Sequence, residues 1–325
     1  MSADYRLVRT GLSLTVIAAM GAMAASPASA APKPRFAQSV LLAPTKGRVL
    51  VDRAGPGRAV RLRKPAVVGL GAMVDTSHGT VKLTSALPNG KTQFGTFTDG
   101  AFVVTQSRRA HGLTDLTLAG GDFASCPTAN AAGSPTITAA VRPRRRLFGH
   151  AHGRFRTRGR NSTATVRGTK WMTEDRCDGT HTTDRQGKVD TDTGGKLKVQ
   201  LDPGETATYY CNPRADPPGP GTYCLYLLAK PAEGLAGAGI IDITDETQYD
   251  LCVTYPDAHE TCGSLPFSQA NSRGFRQSAY ACYTDGGTGI YTVRWRVGGV
   301  FLFPPLTTPL TALRGPPPGP CAHKP

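Results

Sequence analysis

The sequence predicts an almost entirely β protein. Short runs rich in β-branched and aromatic residues recur along the chain, separated by turns built on Gly, Asn or Asp. No stretch of a dozen residues spaces its apolar side chains three and four apart, as an amphipathic helix requires. The 38 Gly and 26 Pro among 325 residues interrupt every segment long enough for a helical bundle or coiled coil. With 39% apolar and 19% charged residues the chain can bury a core and is not disordered throughout. Its length suits two domains of roughly 100–200 residues each.

Residues 1–30 read as a secretory signal peptide. Arg6 and Arg9 supply the basic start, Gly11 to Ala25 the apolar stretch, and Ala28-Ser29-Ala30 the small-residue cleavage pattern. The apolar stretch is shorter than the ~20 residues that span a bilayer, so cleavage is expected rather than anchoring. No later segment is long and apolar enough to cross, and the mature chain is expected outside the cytoplasm with no transmembrane segment.

The first β-domain is expected over residues 31–211. Val49 to Val51, Val81 to Thr84, Phe102 to Gln106 and Leu113 to Leu118 are β-prone runs, with hairpin turns expected at Pro88-Asn89-Gly90 and Thr98-Asp99-Gly100. Lys196 to Leu201 alternates, with Leu197, Val199 and Leu201 on one face. A Pro/Gly linker follows at 212–221, where ladder hydrogen bonds have few donors. Beyond it, Tyr223 to Leu228, Tyr249 to Tyr255 and Ile290 to Val297 read as strands, and residues 222–313 are expected to form a small immunoglobulin-like sandwich. Residues 314–325 are a Pro-rich tail.

All eight cysteines follow the cleavage site, and an even number in an exported chain points to disulfides. Cys252 and Cys262 flank Pro256-Asp257-Ala258 symmetrically and would face each other across a hairpin. Cys126 and Cys177 are the only cysteines before Cys211 and make a plausible intradomain pair. The pairing of Cys211, Cys224, Cys282 and Cys321 stays open. A structural metal site is the alternative, but the chain has no Cys-x-x-Cys and no His-x-x-x-His.

Charge divides at the linker. Residues 31–211 carry 28 Lys and Arg against 13 Asp and Glu, whereas residues 212–325 carry 8 against 9. No acid occurs between Asp122 and Glu174, and this segment holds Arg142, Arg144, Arg145, Arg146, Arg154, Arg156, Arg158, Arg160, Arg167 and Lys170. On a strand, Arg154, Arg156 and Arg158 share a face. Arg142 to Arg160 are therefore the candidate anion-binding residues, for an acidic polysaccharide or wall polymer. The plain alternative is a solvated strand edge whose like charges discourage aggregation. Aromatics are not interleaved with the arginines, which argues against nucleic acid as the partner.

The run Gly153 to Trp171 (GRFRTRGRNSTATVRGTKW) resembles the core of FecR-like domains, in which Ala-x-Val-Arg-Gly-Thr precedes an aromatic residue. Ala164, Val166, Arg167, Gly168, Thr169 and Trp171 fill that pattern. Gly47 to Val49, Gly71 to Thr76, Gly79 to Thr84, Gly187 to Val189 and Val199 to Gly204 match its other steps, so the resemblance covers roughly residues 40–210. It implies an all-β domain of the bacterial cell envelope, outside the cytoplasmic membrane. Its best-known members relay a ligand signal to a sigma factor, but the cytoplasmic and membrane parts of that arrangement are not found here. A secreted relative with a binding role is what the resemblance implies, and it supplies no catalytic residues.

No catalytic constellation emerges: Gly-x-Ser-x-Gly and His-Glu-x-x-His are absent. His150 and His152 share a strand face but have no acid beside them in sequence. Glu174, Asp175 and Asp178 cluster beside Cys177, and Asp190 and Asp192 precede Gly194-Gly195 in what reads as a hairpin turn. The expectation is a non-enzyme without cofactor or metal that binds an anionic cell-surface polymer or ligand. The alternative is a module, or a remnant of a FecR-type signalling system, that recognises another exported protein through its C-terminal sandwich.

Overall fold

The computed structural model describes residues 33–52, 59–126, 144–194, 197–211, 223–230, 235–242, 248–270, 276–278, 281–282, 289–302 and 304–310. The expected signal peptide, Arg142, the linker, the Pro-rich tail and Cys321 lie outside these residues. Strands dominate, and Arg108–Ala110 and Phe123–Ser125 are the only helical turns among the described residues.

The chain opens with β1 (Ser39–Asp52), β2 (Val60–Arg61), β3 (Ala66–Gly69) and β4 (Met73–Ala86). β1 runs antiparallel to β4 and pairs with β2 and β3 as well. Alternation decides the faces: Val40, Leu42, Val49 and Val51 of β1 are buried with Val74, Val81 and Leu83 of β4. Midway along β1 the register shifts between Pro44 and Lys46 and again between Arg48 and Leu50. There Gly47, at φ +68°, faces Gly79, and a Cβ on Gly47 would lie 2.2 Å from the His78 carbonyl oxygen. Only glycine lets the two backbones approach so closely.

β5 (Thr92–Thr98) forms a hairpin with β4 through the turn at Asn89-Gly90. β6 (Ala101–Gln106) does not pair with β5. The Asp99-Gly100 turn, expected as a hairpin, instead carries the chain to the other half of β4, where Met73 to Asp75 pair with β6. Thr76 holds it in place by exchanging backbone hydrogen bonds with Asp99 and Gly100. β7 (Thr114–Ala119) pairs with β6. β8 (Arg145–Arg158) runs antiparallel to β5 through Phe148 to His152 and then parallel to β7 through Phe155 to Arg158. β9 (Thr163–Arg176) lies along β8 and carries β10 (Gly179–Gln186) and β11 (Val189–Asp192) on its other side. β12 (Lys198–Leu201) closes a hairpin on β11, and β13 (Thr206–Cys211) pairs with β10. The core of these strands centres on Phe97, whose ring lies 5.6 Å from Phe102 and Phe155 and 6.2 Å from Trp171.

The remaining strands are β14 (Tyr223–Lys230), β15 (Leu235–Asp242), β16 (Gln248–Thr254), β17 (Glu260–Ala270), β18 (Arg276–Ser278), β19 (Ala281–Cys282), β20 (Gly289–Val297), β21 (Val300–Phe301) and β22 (Leu306–Leu310). They bury a second core around Trp295, Tyr249 and Tyr291. β13 and β14 pair with each other across the linker. The two faces of β14 then serve the two cores: Cys224 and Tyr226 join the first, and Tyr223, Leu225, Leu227 and Ala229 the second. Among the described residues three disulfides form, Cys126–Cys177, Cys211–Cys224 and Cys252–Cys262. The last spans the β16–β17 hairpin around Asp257, and Cys211–Cys224 lies in register across β13 and β14. No helix among the described residues is long and apolar enough to cross a membrane.

Candidate anion-binding face

The acids missing from the basic segment in sequence reach it through the fold. β8 places Phe155 and Thr157 in the core, so Arg154, Arg156 and Arg158 do share the opposite face. The parallel pairing sets Asp115 of β7 opposite Arg156. Asp115, 6% exposed, accepts from Arg156 Nε at 2.5 Å and Nη2 at 3.0 Å and from Arg158 Nε at 2.9 Å. Arg145 Nε donates to the fully buried Asp175 at 2.8 Å, Arg146 lies 2.5 Å from Asp99, and Arg144 lies 3.8 Å from Glu174. Five of the eight candidate arginines are thus occupied by carboxylates. Arg160 is exposed with its guanidinium 4.6 Å from the Phe123 ring, and Arg142 lies outside the described residues.

Arg154 differs from its neighbours. Its Nη1 donates to the His111 carbonyl oxygen at 3.2 Å, and no carboxylate among the described residues pairs with it. Directly across the ladder stands Arg167, also without such a partner. Like charges placed opposite each other on adjacent strands repel. The two line an open recess of about 570 Å³ together with His152, Gly153 and Gly168. A bulge builds it: the β8–β9 register shifts between Ala151 and Arg154, where Gly153 adopts φ +125° and Gly168 φ +78°. Buried Gln93 of β5 fixes the bulge, its Oε1 accepting from Arg154 N at 2.9 Å and its Nε2 donating to Gly112 O at 2.7 Å and Arg154 O at 3.2 Å.

The recess opens onto a cationic sheet face. His150 stands opposite Thr96 of β5 and Lys170 of β9, Thr96 stands opposite Lys82 of β4, and His152 stands opposite Phe94. The His150 and His152 rings are 5.0 Å apart, Phe94 lies 5.0 Å from His152, and Lys82 Nζ lies 4.4 Å from the Phe94 ring. The other diagonal neighbours of the histidines on β5 and β9 are Thr92, Thr98, Gly168 and Met172, and none is an acid. Partial burial, the Lys170 ammonium and the His152 ring hold the His150 imidazole below its usual range. In the sequence Arg167 and Lys170 stand out only as basic residues and as part of the FecR-like block, and nothing marks Lys82 or Gln93. Arg167 belongs to the Val-Arg-Gly-Thr block and was findable there; Lys82 and Gln93 reach the face only through strand pairing.

The acidic cluster near Cys177 is structural. Arg176 pairs with Glu174, and His181 Nε2 lies 2.9 Å from Asp178 while its Nδ1 lies 2.9 Å from Thr208 Oγ1. This has the connectivity of a nucleophile relay, but Thr208 is 1% exposed within its strand, out of a substrate's reach. Burial alone would raise the Asp178 carboxyl; the charge and hydrogen bond of His181, with Arg176, outweigh it and hold it below the ordinary range. Among the described residues no group of three His, Cys, Asp or Glu is placed to hold a metal.

No family model, curated protein or solved structure matches the chain.

Proposed function

We propose that this is an extracytoplasmic, non-enzymatic protein, a secreted relative of FecR-like domains, that binds an anionic cell-surface ligand on the face carrying Lys82, His150, His152, Arg154, Arg167 and Lys170. The observation that carries the reading is Arg154 standing opposite Arg167 over a recess, with no carboxylate among the described residues to balance them. A phosphate, sulfate or carboxylate group entering the recess would relieve that repulsion and accept from two guanidiniums. The reading moves the site away from Arg156 and Arg158, which Asp115 occupies. Retention of the full mature chain on immobilised heparin, measured against salt, tests it. Arg154→Gln with Arg167→Gln should elute at much lower salt; elution unchanged from wild type would refute the reading.

A further inference from the structure

A second cationic recess shares the sheet with the first. The register shift at Pro44 and Lys46 opens a space of about 420 Å³ lined by Lys46, Gly47, Arg61 and Arg63 among others. All three cations are exposed, and no acid among the described residues pairs with them. Lys46 stands opposite Thr80, two residues from Lys82 on the same face of β4. Lys82, Thr96, His150 and Lys170 then form one cross-strand row over β4, β5, β8 and β9. At ~4.8 Å between strands and ~3.3 Å per residue along them, His152 at the near edge of the first recess lies about 20 Å from Lys46, and Arg167 on its far side about 25 Å. Lys82, His150 and Lys170 border the way from one recess to the other.

Resting on the reading that this face binds anions, we propose that its ligand is a linear acidic polysaccharide lying across the strands and filling both recesses. A lone small anion needs one recess; two joined by a cationic row fit a repeating polyanion that gains from holding both at once. Beside the row, Phe94 is the one large hydrophobic aromatic exposed among the described residues of this face, whereas a single-stranded nucleic acid calls for several platforms on which successive bases stack.

The test uses the full mature chain and heparin oligosaccharides of defined length, with dissociation constants measured at fixed ionic strength. Affinity should rise at least tenfold once the chain exceeds about 25 Å, the length that reaches from Lys46 to Arg167. Lys46→Gln, Arg61→Gln and Arg63→Gln together should abolish that step while short-chain binding persists. Arg61→Lys with Arg63→Lys should keep it, which separates loss of charge from loss of fold. If affinity grows smoothly with length, or if the Lys46 triple variant behaves as wild type while Arg154→Gln/Arg167→Gln loses binding, the two-recess ligand is overturned and single-site anion binding stands. If neither set of substitutions changes affinity, the anion-binding reading itself fails. An oligothymidylate of equal charge binding as tightly as the long oligosaccharide would overturn the ligand class.

Discussion

Asp115→Asn tests whether the arginine row is structural. Asp115 is 6% exposed and receives three charge-assisted hydrogen bonds, two from Arg156 and one from Arg158. Asparagine keeps the shape and one acceptor oxygen but removes the charge, so two guanidiniums on one strand face are left repelling each other. Removing one partner of a buried ion pair typically costs about 3–5 kcal/mol. Here the lower end applies, about 3 kcal/mol, because the Arg156 and Arg158 side chains keep 24% and 39% of their exposure and water screens part of the loss. That corresponds to a melting point lower by roughly 6–12 °C. Urea unfolding followed by the fluorescence of the buried Trp171 and Trp295 measures it. Adding Arg156→Gln and Arg158→Gln to Asp115→Asn should recover part of the loss, since the whole charged network is then gone. A change below about 0.5 kcal/mol for Asp115→Asn, the size of an ordinary surface substitution, would refute the assignment.

Gln93→Leu should destabilise the first core by about 2 kcal/mol, since it strands the Arg154 amide, and it should weaken heparin binding because the bulge loses its anchor; stable protein with unchanged affinity would show that Gln93 does not position the recess. Among the disulfides, loop length ranks Cys126–Cys177 first: its 51-residue separation gives about 4 kcal/mol, against about 3 kcal/mol for separations of 13 and 10. Paired Cys→Ser variants compared by denaturant midpoint check that order. The Asp178 carboxyl is held low in the fold, so its contribution is complete above its unfolded value near 3.9 and lost as pH falls through its lower folded value. Asp178→Asn should therefore flatten the decline in stability below about pH 5, and an acid limb identical to wild type would contradict this. A bound anion favours the His150 imidazolium, which the fold holds below its ordinary range, so heparin affinity should rise as pH falls below about 6.5, and His150→Gln should remove that rise; an unchanged rise in the variant would place His150 away from the ligand.

The β class was readable because alternation and turn chemistry are local: the runs at Val81, Phe102, Tyr249 and Ile290 all became strands. The Cys252–Cys262 pair was readable for the same reason, as symmetry about one turn suffices. What depends on pairing between distant strands was not. Asp115 lies 41 residues from Arg156, and only the parallel β7–β8 contact brings them together, so a segment acid-free in sequence is ion-paired in space. The turn at Asp99-Gly100 has hairpin residues, yet it changes partners on β4 because Thr76 supplies its hydrogen bonds. Cys211 and Cys224 could not be paired beforehand because the Pro/Gly linker between them gave no sign that its flanks meet in register.

The most direct measurement is the salt dependence of heparin affinity for three forms of the full chain: wild type, Arg154→Gln/Arg167→Gln, and Asp115→Asn/Arg156→Gln/Arg158→Gln. Exposed cations that contact the ligand contribute to that dependence, whereas cations held by a buried carboxylate do not. The expected result is a weaker affinity and a shallower slope for the recess variant, with the Asp115 network variant matching wild type. Loss of affinity in the network variant with the recess variant unchanged would contradict the assignment and return the site to the Arg156–Arg158 row.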